Sequence, residues 1–211
     1  MLEHNFDVDY TVPSTKQKIK INKDFIEVNS NKIACTDVKA VKYGVSLIGK
    51  AKKPERKHYN IDIQSHNGES ISIKFSSNKV EELLEEDHTY YYIMSGLWQY
   101  VKKHLVTEYI TALNENKGFG IGNTQVTQQG FVMSYTSGFL FWKKSKTDLV
   151  PWNDVKYFLK EGVLHIDSIS DRRKKETLSL HNDWNAVVLN TLLHYLWQDH
   201  RKEKLAKGQT I

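Results

Sequence analysis

YNIDIQSHNGESISIKF, residues 59–75, is the stretch that decides the fold class. Apolar and polar residues alternate on both sides of Asn67-Gly68, and this alternation is typical of strands that bury one face. An Asn-Gly pair favours the left-handed backbone of a tight hairpin turn. The stretch therefore predicts an antiparallel β-hairpin. The residues expected on its buried face are Tyr59, Ile61, Ile63, Ile71, Ile73 and Phe75.

The residues before the hairpin continue the same pattern. Short segments between residues 19 and 43 alternate apolar and polar positions and are separated by turn residues. They predict further antiparallel strands. Their apolar positions are Ile19, Ile21, Ile26, Val28, Ile33, Cys35, Val38, Val41 and Tyr43.

After the hairpin the apolar period changes from two to four. A single apolar stripe predicts an amphipathic helix over residues 89–113. Three glycines follow, Gly118, Gly120 and Gly122, and they predict a linker after a first unit of residues 19–116. The stripe of the helix consists of Ile93, Leu97, Val101 and Leu105, with Met94, Trp98 and Tyr109 beside it.

Residues 117–206 repeat this plan of strands followed by a helix. Asn182 or Asp183 is expected to cap the second helix, because such side chains accept hydrogen bonds from free backbone N–H groups. The predicted strands carry Phe131, Met133, Tyr135, Phe139, Phe141, Val150, Trp152, Val155, Phe158, Leu164, Ile166, Leu178 and Leu180. The predicted stripe of the helix is Val187, Val188, Leu192, Tyr195 and Leu196.

The two units align with each other at low identity. Asp37-Val38-Lys39 matches Asp154-Val155-Lys156 at an offset of 117 residues. Ile61-Asp62 matches Ile166-Asp167 at an offset of 105, and the two helices match at 95. This correspondence predicts an internal duplication.

The falling offset places two insertions in the first unit, near residues 44–58 and within 76–88. We expect both insertions to lie between secondary-structure elements, where added residues are tolerated. The predicted organisation is an N-terminal extension of residues 1–18, a first domain of 19–116, a second domain of 117–206 and a tail of 207–211.

Short antiparallel strands followed by one C-terminal amphipathic helix resemble the pleckstrin-homology-like fold. In that family a helix plugs the open end of a bent seven-stranded barrel, and a tryptophan commonly lies in the helix. Trp98 and Trp197 lie in the two predicted helices. The resemblance covers roughly residues 19–113 and 124–206. It implies an α+β, mainly β, fold of two small antiparallel β-barrels, each capped by a C-terminal amphipathic helix.

Composition excludes several classes of protein. The chain is 39% hydrophobic and 26% charged, which is ordinary for a globular protein. Its formal net charge is +5, but residues 201–211 alone carry +3. Neither unit therefore has the strongly basic surface of a nucleic-acid-binding domain, and nucleic acid is not an expected partner.

Localisation is expected to be cytoplasmic, either free or at the inner face of the membrane. No apolar run approaches the roughly 20 residues that span a bilayer. The N-terminal sequence MLEHNFDVDYTV lacks the features of a signal peptide. Cys35 is the only cysteine, so a disulfide within the chain is excluded and a buried thiol is expected.

Sequence motifs of catalysis are absent or incomplete. Residues 44–51 have the glycine and lysine spacing of a phosphate-binding loop, but Ala51 replaces the hydroxyl residue that binds Mg²⁺. No two histidines lie four residues apart on a predicted helix, and one cysteine cannot form a cysteine-based zinc site. We therefore expect a non-enzymatic protein with no cofactor and no metal.

Two basic segments are candidate binding sites. One lies in the longer loop of the first unit, and the other in the late hairpin turn of the second. The simplest interpretation of both basic segments is that they are loop tips whose charges are solvated by water. The family resemblance instead implies that they contact phosphoinositide headgroups. Each cation near an anionic membrane contributes about 1 kcal/mol. The candidates for an anionic headgroup or an acidic partner are Lys50, Lys52, Lys53, Arg56, Lys57, Arg172, Arg173, Lys174 and Lys175.

Two other segments are candidates for further contacts. The acidic run of residues 81–87 either stabilises the N-terminus of the first helix, forms a short helix of its own or binds a basic partner. Phe139, Leu140, Phe141 and Trp142 are consecutive, so at least one of these side chains leaves the core face. Such a side chain contacts either a partner or the other unit.

These features together predict a binding or scaffolding module for a protein partner. Small barrels of this kind bind peptides along a free strand edge or beside the helix. The alternative is peripheral attachment to an anionic membrane through the basic loops. A second alternative is a small-molecule-binding or catalytic protein whose site residues are scattered along the chain.

Overall fold

The computed structural model describes residues 6–50, 53–80, 82–137 and 144–206. The protein is mainly β, with 49% strand and 27% helix, and its sheets are antiparallel. It divides into two compact units, Met1–Leu105 and Val106–Ile211. None of the described helices is both long enough and apolar enough to span a membrane.

The first unit begins with a four-stranded antiparallel sheet in the order β1-β2-β3-β4. Residues 1–18 are predicted to form an extension, but β1 lies within them and pairs with β2. Val8 and Val12 are 2% and 0% exposed, so this segment contributes to the core. The strands are β1 (Val8–Thr11), β2 (Lys18–Ile21), β3 (Phe25–Val28) and β4 (Asn31–Ala34).

A three-stranded sheet follows, in the order β5-β6-β7. The predicted hairpin is confirmed, because Ile61 pairs with Ile73 and both are fully buried. Its turn is longer than two residues, and Gly68 supplies the left-handed backbone with φ +91°. The strands are β5 (Val38–Lys50), β6 (Lys53–Ser65) and β7 (Ser70–Ser77). A 3-10 turn, Cys35–Asp37, joins the two sheets.

The predicted first helix is confirmed and begins four residues earlier than expected. The apolar stripe is buried, and each of its four residues is at most 1% exposed. The helix starts early because the Asp87 carboxylate accepts the free N–H of Leu84 at 3.0 Å. The acidic run therefore supplies the first helical turn. The helical elements are α1 (Glu85–Leu97), a π-helical segment (Trp98–Lys102) and α2 (Lys103–Asn114).

The second unit also begins with a four-stranded sheet, in the order β8-β9-β10-β11. Its first strand occupies the glycine-rich segment that the sequence analysis interpreted as a linker. That interpretation is wrong, because Phe119 stacks on Tyr109 at 3.9 Å and the segment pairs with β9. The strands are β8 (Phe119–Ile121), β9 (Thr124–Thr127), β10 (Gly130–Ser137) and β11 (Lys144–Pro151). The apolar run at Phe139–Trp142 lies outside the described residues.

A second three-stranded sheet and a helix complete this unit. The helix begins at Ala186, so the predicted caps Asn182 and Asp183 precede it. Leu189 and Leu193 are buried, whereas Tyr195 is 43% exposed, which corrects the predicted stripe. The elements are β12 (Val155–Lys160), β13 (Val163–Ser168), β14 (Lys175–Ser179) and α3 (Ala186–Ala206). The 3-10 turn Trp152–Asp154 joins the two sheets.

Both units thus contain four strands, a 3-10 turn, three strands and a helix, in that order. The corner after the turn is the same in both, because the Asp37 carbonyl accepts the His66 N–H at 3.0 Å and the Asp154 carbonyl accepts the Ile169 N–H at 2.7 Å. Val38 of β5 pairs with the buried Ser65 of β6. In the same way Val155 of β12 pairs with the buried Ser168 of β13. Backbone hydrogen bonds among the described residues do not close these sheets into barrels.

Strand pairing corrects the alignment of the two units. Ile63 pairs with Val41, the third residue after Val38, and Ile166 pairs with Tyr157, the second residue after Val155. The strand β6 therefore corresponds to β13 with Ile63, and not Ile61, opposite Ile166. The predicted insertion near residues 44–58 lengthens β5 and β6 themselves, and the insertion within 76–88 includes the start of α1. Both insertions fall inside elements, contrary to the expectation.

Candidate functional site

The corner between the two sheets of the second unit positions one indole ring. Trp152 begins the 3-10 turn, and its Nε1–H donates to the carbonyl of Gln128 at 2.9 Å. The ring also contacts Phe131 edge-on, with 5.0 Å between centroids. Because Phe131 is fully buried, the Trp152 ring is anchored to the core on one side. Its remaining surface lines a cavity.

This cavity has a volume of about 280 Å³ and combines apolar surface with amide groups. Pockets that enclose a whole small-molecule ligand usually measure about 300–1,000 Å³, so this one is at the lower limit of that range. A space of this size suits one or two side chains of a partner better than an entire cofactor. Its lining residues are Leu113, Asn114, Gln128, Trp152, Asn153, Leu196 and Trp197.

Strand β12 forms an edge of its sheet next to the cavity. Among the described strands, β12 pairs with β13 and with no other strand. Tyr157 of β12 contacts Trp197 of α3 edge-on, with 5.5 Å between ring centroids. Trp197 therefore belongs both to the cavity wall and to the border of the strand edge. Burial of the Tyr157 hydroxyl raises its pKa.

The core face of β12 is incompletely covered. Leu159 lies on the same face as Tyr157, because alternate residues of a strand share a face. It pairs with Leu164, which is fully buried, yet Leu159 itself is 49% exposed. On the other face Phe158 is 46% exposed and stacks on His165 at 4.6 Å. Apolar side chains are therefore exposed on both faces of this strand edge.

Asp154 holds the corner rigidly before the edge strand begins. Its carboxylate accepts the hydroxyl of Ser168 at 2.6 Å, and the hydroxyl and N–H of Ser170, each at 2.8 Å. The hydrogen bonds from Ser168 and then Ser170 lower the pKa of Asp154. The carboxylate is fully engaged in shaping the turn, so its role is structural.

The basic residues predicted in the first unit lie on a hairpin rather than in a loop. Lys50 ends β5, Lys53 begins β6, and Lys50 and Arg56 are exposed. Lys57 is not available to a ligand, because its ammonium binds the Asp87 carboxylate at 2.8 Å and its side chain is only 13% exposed. Lys52 lies outside the described residues.

The basic residues predicted in the second unit lie in the β13–β14 turn and at the start of β14. Arg173 forms a two-pronged pair with Asp171 at 2.8 and 2.9 Å, and this pair lowers the pKa of Asp171 to about 2. Lys174 binds the Asp148 carboxylate at 2.9 Å. Arg172 and Lys175 are exposed. Two of the four predicted cations are therefore neutralised by carboxylates of the same unit.

Lys102 and Cys35 carry reactive groups in buried surroundings. The Lys102 ammonium donates to the Tyr43 hydroxyl at 2.8 Å and lies 5.5 Å from the centre of the Trp98 ring. Burial lowers the pKa of Lys102 to about 8. The thiol of Cys35 is buried, which confirms the prediction, and its pKa is raised to about 11, first by burial and then by Asp24. Within the described ranges no group of three His, Cys, Asp or Glu residues is arranged to hold a metal ion.

The cavity and the exposed apolar side chains of β12 were not predicted from the sequence. Phe158 and Trp197 lie in a strand and a helix, as the sequence predicts, whereas Trp152 is predicted in a strand and instead begins a 3-10 turn. The contacts around the cavity join turns and strands far apart in the chain. The repeated Asp-Val-Lys triplet marked the corner without indicating what lines it. Comparison with protein-family models, with curated proteins and with solved structures finds no match to this chain.

Proposed function

We propose that this protein is a non-enzymatic binding module made of two pleckstrin-homology-like domains, and that its second unit binds an extended segment of a protein partner. The repeated order of four strands, a turn, three strands and a C-terminal helix supports the domain assignment. In this proposal the two sheets of each unit pack as a bent barrel-like pair. Contacts of β7 with β3 and β4, and of β14 with β10, support that packing.

The observation that carries the proposal is the junction between the β12 edge and the cavity. A free strand edge offers unpaired N–H and C=O groups, and an added strand satisfies them. Trp197 borders the edge and the cavity together. A segment that pairs with β12 therefore has a pocket for one of its side chains within reach.

The exposed side chains of β12 and the lining of the cavity define the partner segment. Leu159 and the cavity favour one or two large apolar side chains at alternate positions of an extended chain. Lys160 is exposed on this strand, and Lys156 is 57% exposed, although its ammonium lies 3.9 Å from the Asp167 carboxylate. These cations favour acidic residues beside the apolar anchor, chiefly by steering the encounter. The expected partner segment is thus extended, apolar in alternation and acidic at its flanks.

A displayed peptide library selected against the whole protein tests this proposal. We expect enriched peptides with a large apolar residue next to acidic ones, and protection of the β12 amides from hydrogen exchange when such a peptide binds. Trp197→Ala should weaken binding by about 2 kcal/mol or more, which is roughly thirtyfold in Kd, because the bound segment would cover the Trp197 ring, which is 38% exposed in the free protein.

Ile169→Ser is the matched control. Ile169 is 60% exposed in the β13–β14 turn and lines neither the cavity nor the β12 face. The control should bind selected peptides as the unchanged protein does. Enrichment of no common pattern, or equal binding by the Trp197→Ala variant, would refute the proposed site.

A further inference from the structure

The side chain of Lys102 lies in a recess of the first unit that is lined by aromatic rings. Its ammonium donates to the Tyr43 hydroxyl at 2.8 Å and lies 5.4 and 5.5 Å from the centres of the Tyr43 and Trp98 rings. Burial is the single cause of the lowered pKa of Lys102, whereas a nearby carboxylate would raise that pKa. Among the described residues no carboxylate therefore neutralises this ammonium.

The titratable groups near the recess leave the charge of Lys102 uncompensated. Burial and then Tyr90 raise the pKa of Tyr43, so its hydroxyl stays neutral at physiological pH. The Asp87 carboxylate at the start of α1 is already bound by two donors of β6, at 2.7 and 2.8 Å. An ammonium has three N–H donors, and among the described residues the Tyr43 hydroxyl accepts one of them. Because a charge withdrawn from water is costly without a partner, the recess favours an anionic ligand.

A π-helical segment positions this lysine beside an indole ring. Trp98 and Lys102 are the first and last residues of the segment, which joins α1 to α2. Residues four apart lie on the same side of a helix, so both side chains face β5. Single π-helical turns are frequent at functional sites. The helix α3 of the second unit is α-helical from Ala186 to Ala206, so this arrangement distinguishes the first unit.

Exposed apolar side chains continue from the recess along β5. Tyr43, Val45 and Leu47 share one face of the strand, because alternate residues point the same way. Val45 pairs with the fully buried Tyr59, yet Val45 and Leu47 are 44% and 60% exposed. Four residues at about 3.3 Å each give this apolar surface a length of roughly 13 Å. A ligand that reaches Lys102 can therefore also cover aliphatic side chains.

We propose that the recess at Lys102 binds a small aliphatic carboxylate. The carboxylate accepts hydrogen bonds from the Lys102 ammonium, and the aliphatic chain lies on Val45 and Leu47. Hydrogen bonds between two charged groups are roughly twice as strong as those between neutral ones. Because the ammonium is recessed between two rings, a narrow chain reaches it more readily than the surface of a folded protein does. This binding belongs to the first unit and does not depend on the peptide site of the second.

Calorimetric titration of the whole protein tests this assignment. The probes are octanoate, octanol, which has the same chain without the charge, and acetate, which has the charge without the chain. Octanoate should bind about tenfold more tightly than either of the others. Lys102→Met should weaken octanoate binding about tenfold, because it removes the ammonium and keeps a long side chain. Lys103→Met is the matched control, since Lys103 is the next residue of the helix and is exposed, and it should bind octanoate as the unchanged protein does.

A second readout identifies Lys102 as the cation that holds the carboxylate. The pKa of Lys102 is about 8, so the ammonium is lost as the pH rises through that value. Octanoate should therefore bind about tenfold more weakly at pH 9 than at pH 7. An ordinary exposed lysine, with a pKa of about 10.4, stays charged over this range and would give almost no change.

A third variant tests the apolar part of the site. Val45→Ser should weaken octanoate binding about threefold and leave acetate binding unchanged, because apolar contact is lost and the charge is kept. No binding of octanoate, equal binding of octanol, equal binding by the Lys102→Met variant, or the same affinity at pH 7 and pH 9 would each overturn the proposal. Circular dichroism of each variant at both pH values establishes that it is folded.

Discussion

At the residue scale, Asp87 joins the helix α1 to the sheet of the first unit. Its carboxylate accepts hydrogen bonds from the Tyr59 hydroxyl at 2.7 Å, the Lys57 ammonium at 2.8 Å and the Leu84 N–H at 3.0 Å. Burial by itself raises the pKa of Asp87, but these donors outweigh burial and the pKa is lowered. The charged form of one side chain therefore satisfies a helix terminus and two groups of β6.

Asp87→Asn should lower the free energy of unfolding by about 1–3 kcal/mol at neutral pH, because it leaves the Lys57 ammonium without its carboxylate. The folded-state pKa of Asp87 lies below the value of about 3.9 in the unfolded chain. Its contribution is therefore present above roughly pH 4 and is lost as the pH falls through the folded-state pKa. Urea unfolding at neutral pH and in acid should show the difference between the two proteins shrinking in acid.

A surface ion pair provides the control for this substitution. Lys79 and Glu82 lie 3.1 Å apart, and their side chains are 62% and 63% exposed. Glu82→Gln should change the unfolding free energy by less than about 0.5 kcal/mol, since water screens exposed pairs. An equal loss from both substitutions would contradict the role assigned to Asp87.

At the scale of elements, the two units differ chiefly in which hairpin is long. In the first unit β5 and β6 each have 13 residues, and in the second β10 and β11 each have eight. The corresponding strands β12 and β13 have six residues each, and β3 and β4 have four. The shared 3-10 corner is kept while the hairpins on either side of it change in length.

Gly130 at the start of β10 is required by close approach of the neighbouring strand. Its φ is +151°, and a Cβ atom there would lie 2.0 Å from the Val150 carbonyl oxygen. Gly130→Ala should therefore lower the unfolding free energy by more than about 2 kcal/mol, because two backbones must separate. Urea unfolding measures this loss.

Gly68→Ala is the matched comparison in the other unit. Gly68 has φ +91°, but no atom lies within 4 Å of the added Cβ. It should cost about 1 kcal/mol from backbone strain alone. Losses of the same size at both positions would show that contact with Val150 is not the cause at Gly130.

At the scale of the whole molecule, the division between the units falls inside a helix. The boundary at Leu105 and Val106 lies within α2, and the glycine-rich segment follows that helix. Val106 and Leu113 are 5% and 6% exposed. Tyr109 stacks on Phe119 and accepts a hydrogen bond from Asn185 at 2.8 Å. The last turns of α2 thus belong to the core of the second unit.

A fragment of residues 106–211 should therefore be more stable than a fragment of residues 117–211. The shorter fragment lacks Val106, Tyr109 and Leu113, and full burial of each such side chain is worth about 1.5–3 kcal/mol. Thermal unfolding of both fragments measures the difference. Equal stability would mean that the second unit does not need the end of α2.

Periodicity along the chain was sufficient to identify most elements. The hairpin of residues 59–75 and the first helix were predicted correctly. The repeated Asp-Val-Lys triplet was recognised as a match between the units, but the 3-10 turn that contains its aspartate was not predicted. An apolar residue at every second position marks the buried face of a strand, and one at about every fourth position marks the buried face of a helix. The local sequence is therefore enough to identify the buried face. The strand at Val8–Thr11 was missed because it is short and follows few apolar residues. The strand in the glycine-rich segment was missed because glycine is a poor local indicator of strands.

Tertiary structure alone decided which side chains are available for binding. Nothing in the sequence distinguishes Lys57, Arg173 and Lys174 from exposed cations that have no partner. In the structure each of them forms an ion pair with a carboxylate. The cavity near Trp197 and the uncovered face of Leu159 arise where segments distant in the chain meet. The sequence by itself determined the order and the buried faces of most elements, because these depend on neighbouring residues. Charge pairing, strand edges and cavities depend on contacts across the fold, so only the folded chain reveals them.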